Sequence, residues 1–220
     1  MKRTEHFVQF YNGSDFPTAS VGAFLYEGLT REESCIIAAM PEHLESVREV
    51  LSKAGVDLAA AGVEDRFIEL NVVETLERIM VEEMPDERAF RNLVRPLMQG
   101  TLEKGKVRIF GEIVSVLAKD NNIAASLKLE EYWNALQEEY EFSLFCAYPS
   151  EAFADAGGPE ALLAMCGEHT HVIPSAAFAD AAPDDDRLKN AAFLQKWNEQ
   201  LYAELAELER NIAEKHQKHE

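Results

Sequence analysis

Residues 34–41 of this chain are Ser-Cys-Ile-Ile-Ala-Ala-Met-Pro, in which the continuous apolar run Ser34–Met40 is bounded by Glu33 and Pro41. A short apolar run without alternating polar residues is typical of a strand that is buried on both faces. Such strands occur in parallel sheets whose two faces are covered by helices. The run therefore predicts a buried strand of an α/β fold.

Strand-like and helix-like segments alternate on both sides of this run. The predicted strands are His6–Tyr11, Ser34–Met40, Arg66–Leu70, Lys106–Phe110, Glu141–Tyr148 and, at an edge, His171–Ile173. The predicted helices are one that Asp15 would N-cap, then Glu42–Lys53, Val73–Met80, Pro85–Glu103, Ile113–Leu117, Ile123–Tyr140 and Glu160–Cys166. Alternation of this kind predicts a mostly parallel central sheet of five or six strands with helices on both faces.

Composition limits the possible partners of the chain. It has 40 acidic and 21 basic residues, a formal net charge of −19, which disfavours binding to nucleic acid or to an anionic membrane. We expect no signal peptide, and no window approaches the ~18 apolar residues of a membrane span. Cys35, Cys146 and Cys166 lie in or beside apolar runs, so we expect reduced, buried thiols in a cytoplasmic protein.

The carboxyl ends of parallel strands are where ligands of α/β sheets bind. Glu112 follows such an end, and Gly111 leaves space beside it, so Glu112 is a candidate binding or acid/base carboxylate. The alternative is a structural salt bridge or cap. Cys146 also lies at a strand end, but nothing in the spacing pairs it with a histidine base, which favours an inert thiol.

Two other features of the sequence argue against ATP hydrolysis and against metal binding. The turn Asn12–Thr18 has one glycine and no lysine, and Asp15 would repel a polyphosphate, so we expect no ATP hydrolysis by a phosphate-binding loop. His169 and His171 would point to one face of a strand, but no third ligand is visible in the sequence. We therefore expect no metal site, no cofactor and no catalytic residue.

The C-terminal segment differs from the rest of the chain. Residues 177–186 are rich in Ala, Asp and Pro and predict a linker, so we divide the chain into a domain at 1–178 and a tail at 179–220. The tail predicts a long amphipathic helix with a heptad seam, where Asn198 lies among apolar residues. The seam residues are Leu194, Asn198, Leu201, Leu205, Leu208 and Ile212. The seam would mediate association, or the helix would pack on its own domain.

Several segments, taken in order, resemble one known family. They are His6–Tyr11, Val107–Val114, Leu129–Asn134, Phe142–Pro149 and Glu168–Pro174. Together they resemble the MEDS domain, the methanogen/methylotroph DcmR sensory domain, over about residues 5–178. The resemblance implies a divergent KaiC/RecA-like fold with a degenerate P-loop, found in signalling proteins and often joined to histidine kinases or DNA-binding domains.

The resemblance also implies a function and a set of site residues. We expect a non-catalytic sensory module that binds a small, weakly polar organic ligand in a cleft at the strand ends. The motif residues at that cleft are Tyr11, Asp15, Glu112, Trp133, Cys146 and Tyr148, with His6 and His169. Because only a helical tail follows the domain in this sequence, we expect output through a homodimer or through a partner such as a histidine kinase. The alternatives are an interaction protein with a vestigial pocket and a residual nucleotide-dependent ATPase or kinase.

Overall fold

The structure is a computed structural model that describes residues 5–11, 15–60, 62–149, 151–155 and 158–173. The predicted tail at 179–220, with its heptad seam, lies outside the described residues. So do Asn12, Gly13 and Ser14 of the turn that was compared with a phosphate-binding loop. The predicted division of the chain at residue 178 therefore stays a prediction.

Within the described residues, eight strands form one large parallel sheet and one small hairpin. In chain order they are β1 (His6–Tyr11), β2 (Ser34–Ala39), β3 (Phe67–Asn71), β4 (Met80–Val81), β5 (Met84–Pro85), β6 (Val107–Gly111), β7 (Phe142–Pro149) and β8 (His171–Ile173). The six-stranded sheet has the order β3-β2-β6-β7-β1-β8, and every neighbouring pair in it is parallel. β4 and β5 pair with each other as an antiparallel hairpin.

In the part of the chain that the structure describes, eight helices connect or follow these strands. They are α1 (Thr18–Thr30), α2 (Pro41–Lys53), α3 (Val72–Ile79), α4 (Glu87–Leu102), α5 (Ile113–Lys119), α6 (Ile123–Glu139), α7 (Ala152–Asp155) and α8 (Gly158–Gly167). Residues of α1 and α2 pack with Phe110 and Phe145 on one face of the sheet, which we call the α1 face. Residues of α3 to α6, with Met165 of α8, pack on the opposite face, which we call the α6 face.

The alternation of side chains along each strand explains why there are two separate cores. In β6, Val107 and Ile109 point to the α6 face, whereas Phe110 points to the α1 face. Every residue of β2 and of β6 is buried, as the apolar run at 34–41 predicts for a strand covered on both faces. The α/β class, the parallel sheet and the edge position of His171–Ile173 are confirmed.

The structure corrects the prediction that Asp15 caps the first helix. The N-cap residue of α1 is Pro17, whose carbonyl accepts a hydrogen bond from the Val21 amide, and no side chain of a described residue caps this end. Asp15 is exposed two residues earlier, too far along the chain to accept from the first turn of α1. The β4–β5 hairpin was not predicted, because strands of two residues have no periodicity to detect.

None of the helices within the described ranges is long and apolar enough to cross a membrane.

Candidate functional site

A buried group of polar side chains lies on the α6 face, between the sheet and the helices α6 and α8. We call it the Glu130 centre, and it consists of Glu130, His6, Cys146, Tyr148 and His169. In the parallel register, Val8 lies beside Cys146 and Phe10 beside Tyr148. Since alternate residues of a strand point to one face, His6 of β1 points to the same side as Cys146 and Tyr148 of β7. Glu130 faces them from α6, and His169 completes the centre from the turn before β8.

Glu130 is the common partner of the other four side chains. Its Oε1 accepts a hydrogen bond from the Tyr148 hydroxyl at 2.5 Å and lies 3.3 Å from Nε2 of His169. Its Oε2 lies 3.3 Å from Nε2 of His6 and 3.6 Å from Sγ of Cys146. The Sγ atom of Cys146 is also 3.6 Å from Nε2 of His6. One fully buried carboxylate therefore has two imidazoles, a thiol and a phenol around it.

In both histidines, Nδ1 forms a hydrogen bond on the side of the ring that faces away from Glu130. In His169, Nδ1 lies 2.7 Å from the carbonyl oxygen of Met165, so Nδ1–H is the donor. In His6, Nδ1 lies 2.9 Å from Oδ1 of Asn134, whose amide nitrogen donates to the carbonyl and the carboxylate of Glu168. These bonds leave Nε2 of each ring directed at the Glu130 centre. Nε2 of His169 is buried and has no hydrogen-bond geometry to any described group.

The electrostatics of the centre follow from burial and from the close carboxylate. Burial alone would raise the pKa of Glu130, but the close charges of His169 and His6 outweigh it and hold that pKa well below its usual range. Burial would lower the pKa of His169, but the Glu130 charge raises it. Burial, and then Glu130, raise the pKa of Cys146 and of Tyr148 well above their usual values. The carboxylate is thus ionised while the thiol and the phenol stay neutral.

An apolar cavity of about 20 Å³ lies on the same face of the sheet, against the carboxyl-terminal halves of β2, β3 and β6. Trp133 of α6 and Phe90 of α4 form part of its wall, and their rings meet edge to face at 4.8 Å. Gly111 at the end of β6 also lines it, and a Cβ atom added there would have no atom within 4 Å. Because Trp133 is three residues after Glu130, one helical turn of α6 contacts both the cavity and the Glu130 centre.

The structure brings four of the eight predicted site residues together: His6, Cys146, Tyr148 and His169, all around Glu130. Trp133 lies on the cavity wall instead. Tyr11 is on the α1 face, where its hydroxyl lies 3.0 Å from Oγ of Ser115. Asp15 is exposed before α1 and joins neither group.

Glu112 has a different set of contacts. Its carboxylate is fully buried, accepts a hydrogen bond from the Met40 amide at 2.8 Å and lies 2.8 Å from Nδ1 of His43. His43 in turn stacks on Phe16 at 3.8 Å between ring centroids. The Glu112 carboxylate therefore joins the end of β6 to the start of α2, the structural alternative that the sequence left open.

Glu130 is the residue of the centre that sequence reasoning missed. It was included in the resemblance segment Leu129–Asn134 but was not singled out as a site residue. A signal was present, because Glu130, Trp133 and Gln137 recur at helical spacing and share the buried face of α6. A carboxylate on the apolar face of a predicted helix needs a partner, and that requirement would have directed attention to the histidines.

Comparison with known proteins gives one family. The sequence matches the family model described as MEDS, the methanogen/methylotroph DcmR sensory domain, over residues 5–170. No curated protein matches the sequence. Among solved structures, a Pyrococcus horikoshii OT3 protein from a structural study is similar over 78% of this chain and 81% of its own length, at 13% identity and a TM-score of 0.49. Similarity at that level implies nothing about what this chain binds.

Proposed function

This chain belongs to the MEDS family of methanogen/methylotroph DcmR sensory domains, and from that premise we propose that it is a non-catalytic sensory module for a small organic molecule. The observation that carries the proposal is the apolar cavity beside Trp133. Enclosed apolar cavities stay free of water and bind small apolar molecules, whereas polar cavities hold ordered water. A protein that detects an uncharged compound needs such a space next to an element that can respond.

The size and lining of the cavity favour a particular class of ligand. A single water molecule needs a cavity of about 10–15 Å³, so about 20 Å³ holds a molecule of one or two heavy atoms without rearrangement. The one hydroxyl-bearing side chain of the lining, Thr75, donates to the carbonyl of Asn71 at 2.7 Å. The ligand would therefore be held by contacts with carbon atoms, and α6 would report its presence through Trp133.

A change at Gly111 tests the proposal directly. The Gly111→Ala substitution places a methyl group on the α6 face of β6, where nothing lies within 4 Å, so the chain should fold normally while the cavity is filled. We expect methane, ethane and methanol to shift the indole N–H resonance of Trp133 in the unsubstituted protein and not in Gly111→Ala. The chain has two tryptophans, so a Trp197→Phe background assigns the signal.

Gly100→Ala is the matched control, since Gly100 also has no atom within 4 Å of an added Cβ but does not line the cavity. It should respond to the probes as the unsubstituted protein does. Equal shifts in Gly111→Ala would mean that the cavity is not the binding site. Absence of any response to all three probes in the unsubstituted protein would reject the proposed ligand class.

We also propose that the tail at 179–220 transmits the signal, either by forming a homodimer or by binding a cytoplasmic partner such as a histidine kinase. The support is the heptad seam of the tail sequence.

The relation to a KaiC/RecA-like fold with a degenerate P-loop is likewise a proposal, supported by the all-parallel sheet with helices on both faces. The two functional alternatives, a scaffold with a vestigial pocket and a residual ATPase or kinase, predict no response of Trp133 to small uncharged molecules.

A further inference from the structure

We propose that His6, Glu130, Cys146 and His169 form a binding site for a divalent transition-metal ion, with Zn²⁺ the ion that the ligand set fits best. The site is separate from the apolar cavity, so it does not depend on the proposed sensory ligand. Two imidazole nitrogens, one thiolate and one carboxylate oxygen are all ligand types that zinc accepts, whereas calcium and magnesium prefer oxygen ligands alone.

The distances between the four side chains approach those of a tetrahedral site. Zinc bonds of about 2.0–2.1 Å to nitrogen or oxygen and about 2.3 Å to sulfur place neighbouring ligand atoms about 3.3–3.7 Å apart. Oε2 of Glu130 lies 3.3 Å from Nε2 of His6, and Sγ of Cys146 lies 3.6 Å from both of these atoms, whereas Nε2 of His169 lies 3.3 Å from the other carboxylate oxygen, Oε1. All of the ligand atoms lie within 4.8 Å of one another.

The hydrogen bonds that the proposed ligand side chains make with neighbouring groups favour metal binding. Metal-bound histidines donate their other ring N–H to a carbonyl or an amide oxygen, which fixes the tautomer with its lone pair toward the ion. His169 donates to the Met165 carbonyl and His6 to Oδ1 of Asn134. The Tyr148 hydroxyl donates to Oε1 of Glu130, which leaves Oε2 for an ion. The Nε2 atom of His169, which is buried and lies 3.3 Å from Oε1 of Glu130 without hydrogen-bond geometry, would bond directly to the ion.

Charge balance supports the same conclusion. An ionised Glu130 and a Cys146 thiolate carry two negative charges, which a divalent ion neutralises inside a region that excludes water. Binding would displace to solvent both the Cys146 proton and the second ring proton of the histidine that is protonated in the metal-free site, so two protons leave as the sulfur–metal and nitrogen–metal bonds form. In the absence of metal, the same side chains would have to be held as a buried ion pair between Glu130 and a protonated histidine.

Cobalt binding distinguishes a metal-binding site from a buried ion pair that binds no metal. Co²⁺ added to the full metal-free chain, both in the native state and during refolding from urea, should bind one ion per chain. The expected spectrum has the ligand-field bands of tetrahedral cobalt and a thiolate-to-cobalt charge-transfer band. Zn²⁺ should abolish the spectrum by competition and raise the Tm of the chain. If the side chains form only an ion-pair network, neither ion changes the spectrum or the Tm.

Variants locate the ion. Cys146→Ser should remove the charge-transfer band, and His169→Ala should weaken Zn²⁺ binding by at least about 100-fold, whereas Cys166→Ser and His171→Gln should change neither property. The expected loss in Asn134→Ala is about 10–100-fold, the usual effect of removing a partner of a ligand histidine. A charge-transfer band that survives Cys146→Ser, or cobalt binding by the unsubstituted chain without such a band, would overturn the proposal. The spectrum of cobalt bound to the unsubstituted chain needs no variant, so the proposal can be tested even if a variant fails to fold.

Discussion

Two helical glycines, Gly28 of α1 and Gly100 of α4, have opposite surroundings. A Cβ atom at Gly28 would lie 2.7 Å from Sγ of Cys35 and 2.9 Å from Cδ of Arg108, whereas one at Gly100 would meet no atom within 4 Å. We expect Gly28→Ala to lower the free energy of unfolding by about 1–3 kcal/mol through overpacking. Gly100→Ala should raise it by about 0.5–1 kcal/mol, because alanine loses less backbone entropy on folding.

Urea denaturation of both glycine variants, with the midpoint and the slope m reported separately, measures these changes. A Gly28→Ala variant as stable as the unsubstituted chain would mean that α1 packs less closely on β2 and β6 than the distances indicate.

Glu130 and Glu131 are neighbours on α6 with opposite burial. Glu130 is fully buried among the two histidines, whereas Glu131 is exposed and pairs with Lys128. We expect Glu130→Gln to cost about 3–5 kcal/mol in metal-free buffer, because removing one partner of a buried pair leaves the other charge uncompensated. Glu131→Gln should leave the urea midpoint unchanged, since exposed pairs contribute little. Equal midpoints for the two variants would show that the histidines carry no charge that depends on Glu130.

At the scale of elements, comparing the N-terminal ends of α1 and α4 tests the conclusion that Asp15 does not cap α1. Asp86 caps α4, where its Oδ1 accepts a hydrogen bond from the Ala89 amide at 2.7 Å, but Asp15 caps nothing. Asp86→Ala should therefore lower the free energy of unfolding by about 1 kcal/mol. For Asp15→Ala we expect no change beyond experimental error, and thermal denaturation of the two variants side by side is sufficient to measure it. A larger effect at Asp15 than at Asp86 would restore the original prediction.

Element boundaries were predictable to within a residue or two where apolar periodicity was strong. β2 is an example, since a continuous apolar run predicts a strand covered on both faces and the structure buries every residue of it. The Glu130 centre was predictable only in part. His6, Cys146 and His169 are far apart in sequence, and one sequence does not reveal which strands become neighbours. Without the order β7-β1-β8, nothing indicates that these side chains meet.

At the scale of the whole molecule, the tail is the main untested prediction from sequence. Leu201 and Leu205 are seam positions, whereas Ala203 lies on the opposite side of the predicted helix. If the seam mediates association, the double variant Leu201→Lys, Leu205→Lys should be monomeric at concentrations where the unsubstituted chain and Ala203→Lys are dimeric. Light scattering after size exclusion measures the mass. A monomeric unsubstituted chain would favour the alternative, in which the helix packs on its own domain.

The place of β1 in the sheet has a consequence for biosynthesis. β1 lies between β7 and β8, with His6 beside Leu144 and Phe7 beside His171, so both of its neighbours are made long after it. At about 5–20 residues per second, the ribosome needs on the order of ten seconds to supply them. During that interval the aromatic segment His-Phe-Val-Gln-Phe-Tyr has no strand to pair with, and unpaired strands of this kind are prone to aggregation. Non-local pairing of this kind also slows refolding. The Glu130 centre, which needs the same strands, can therefore form only after translation has passed residue 169.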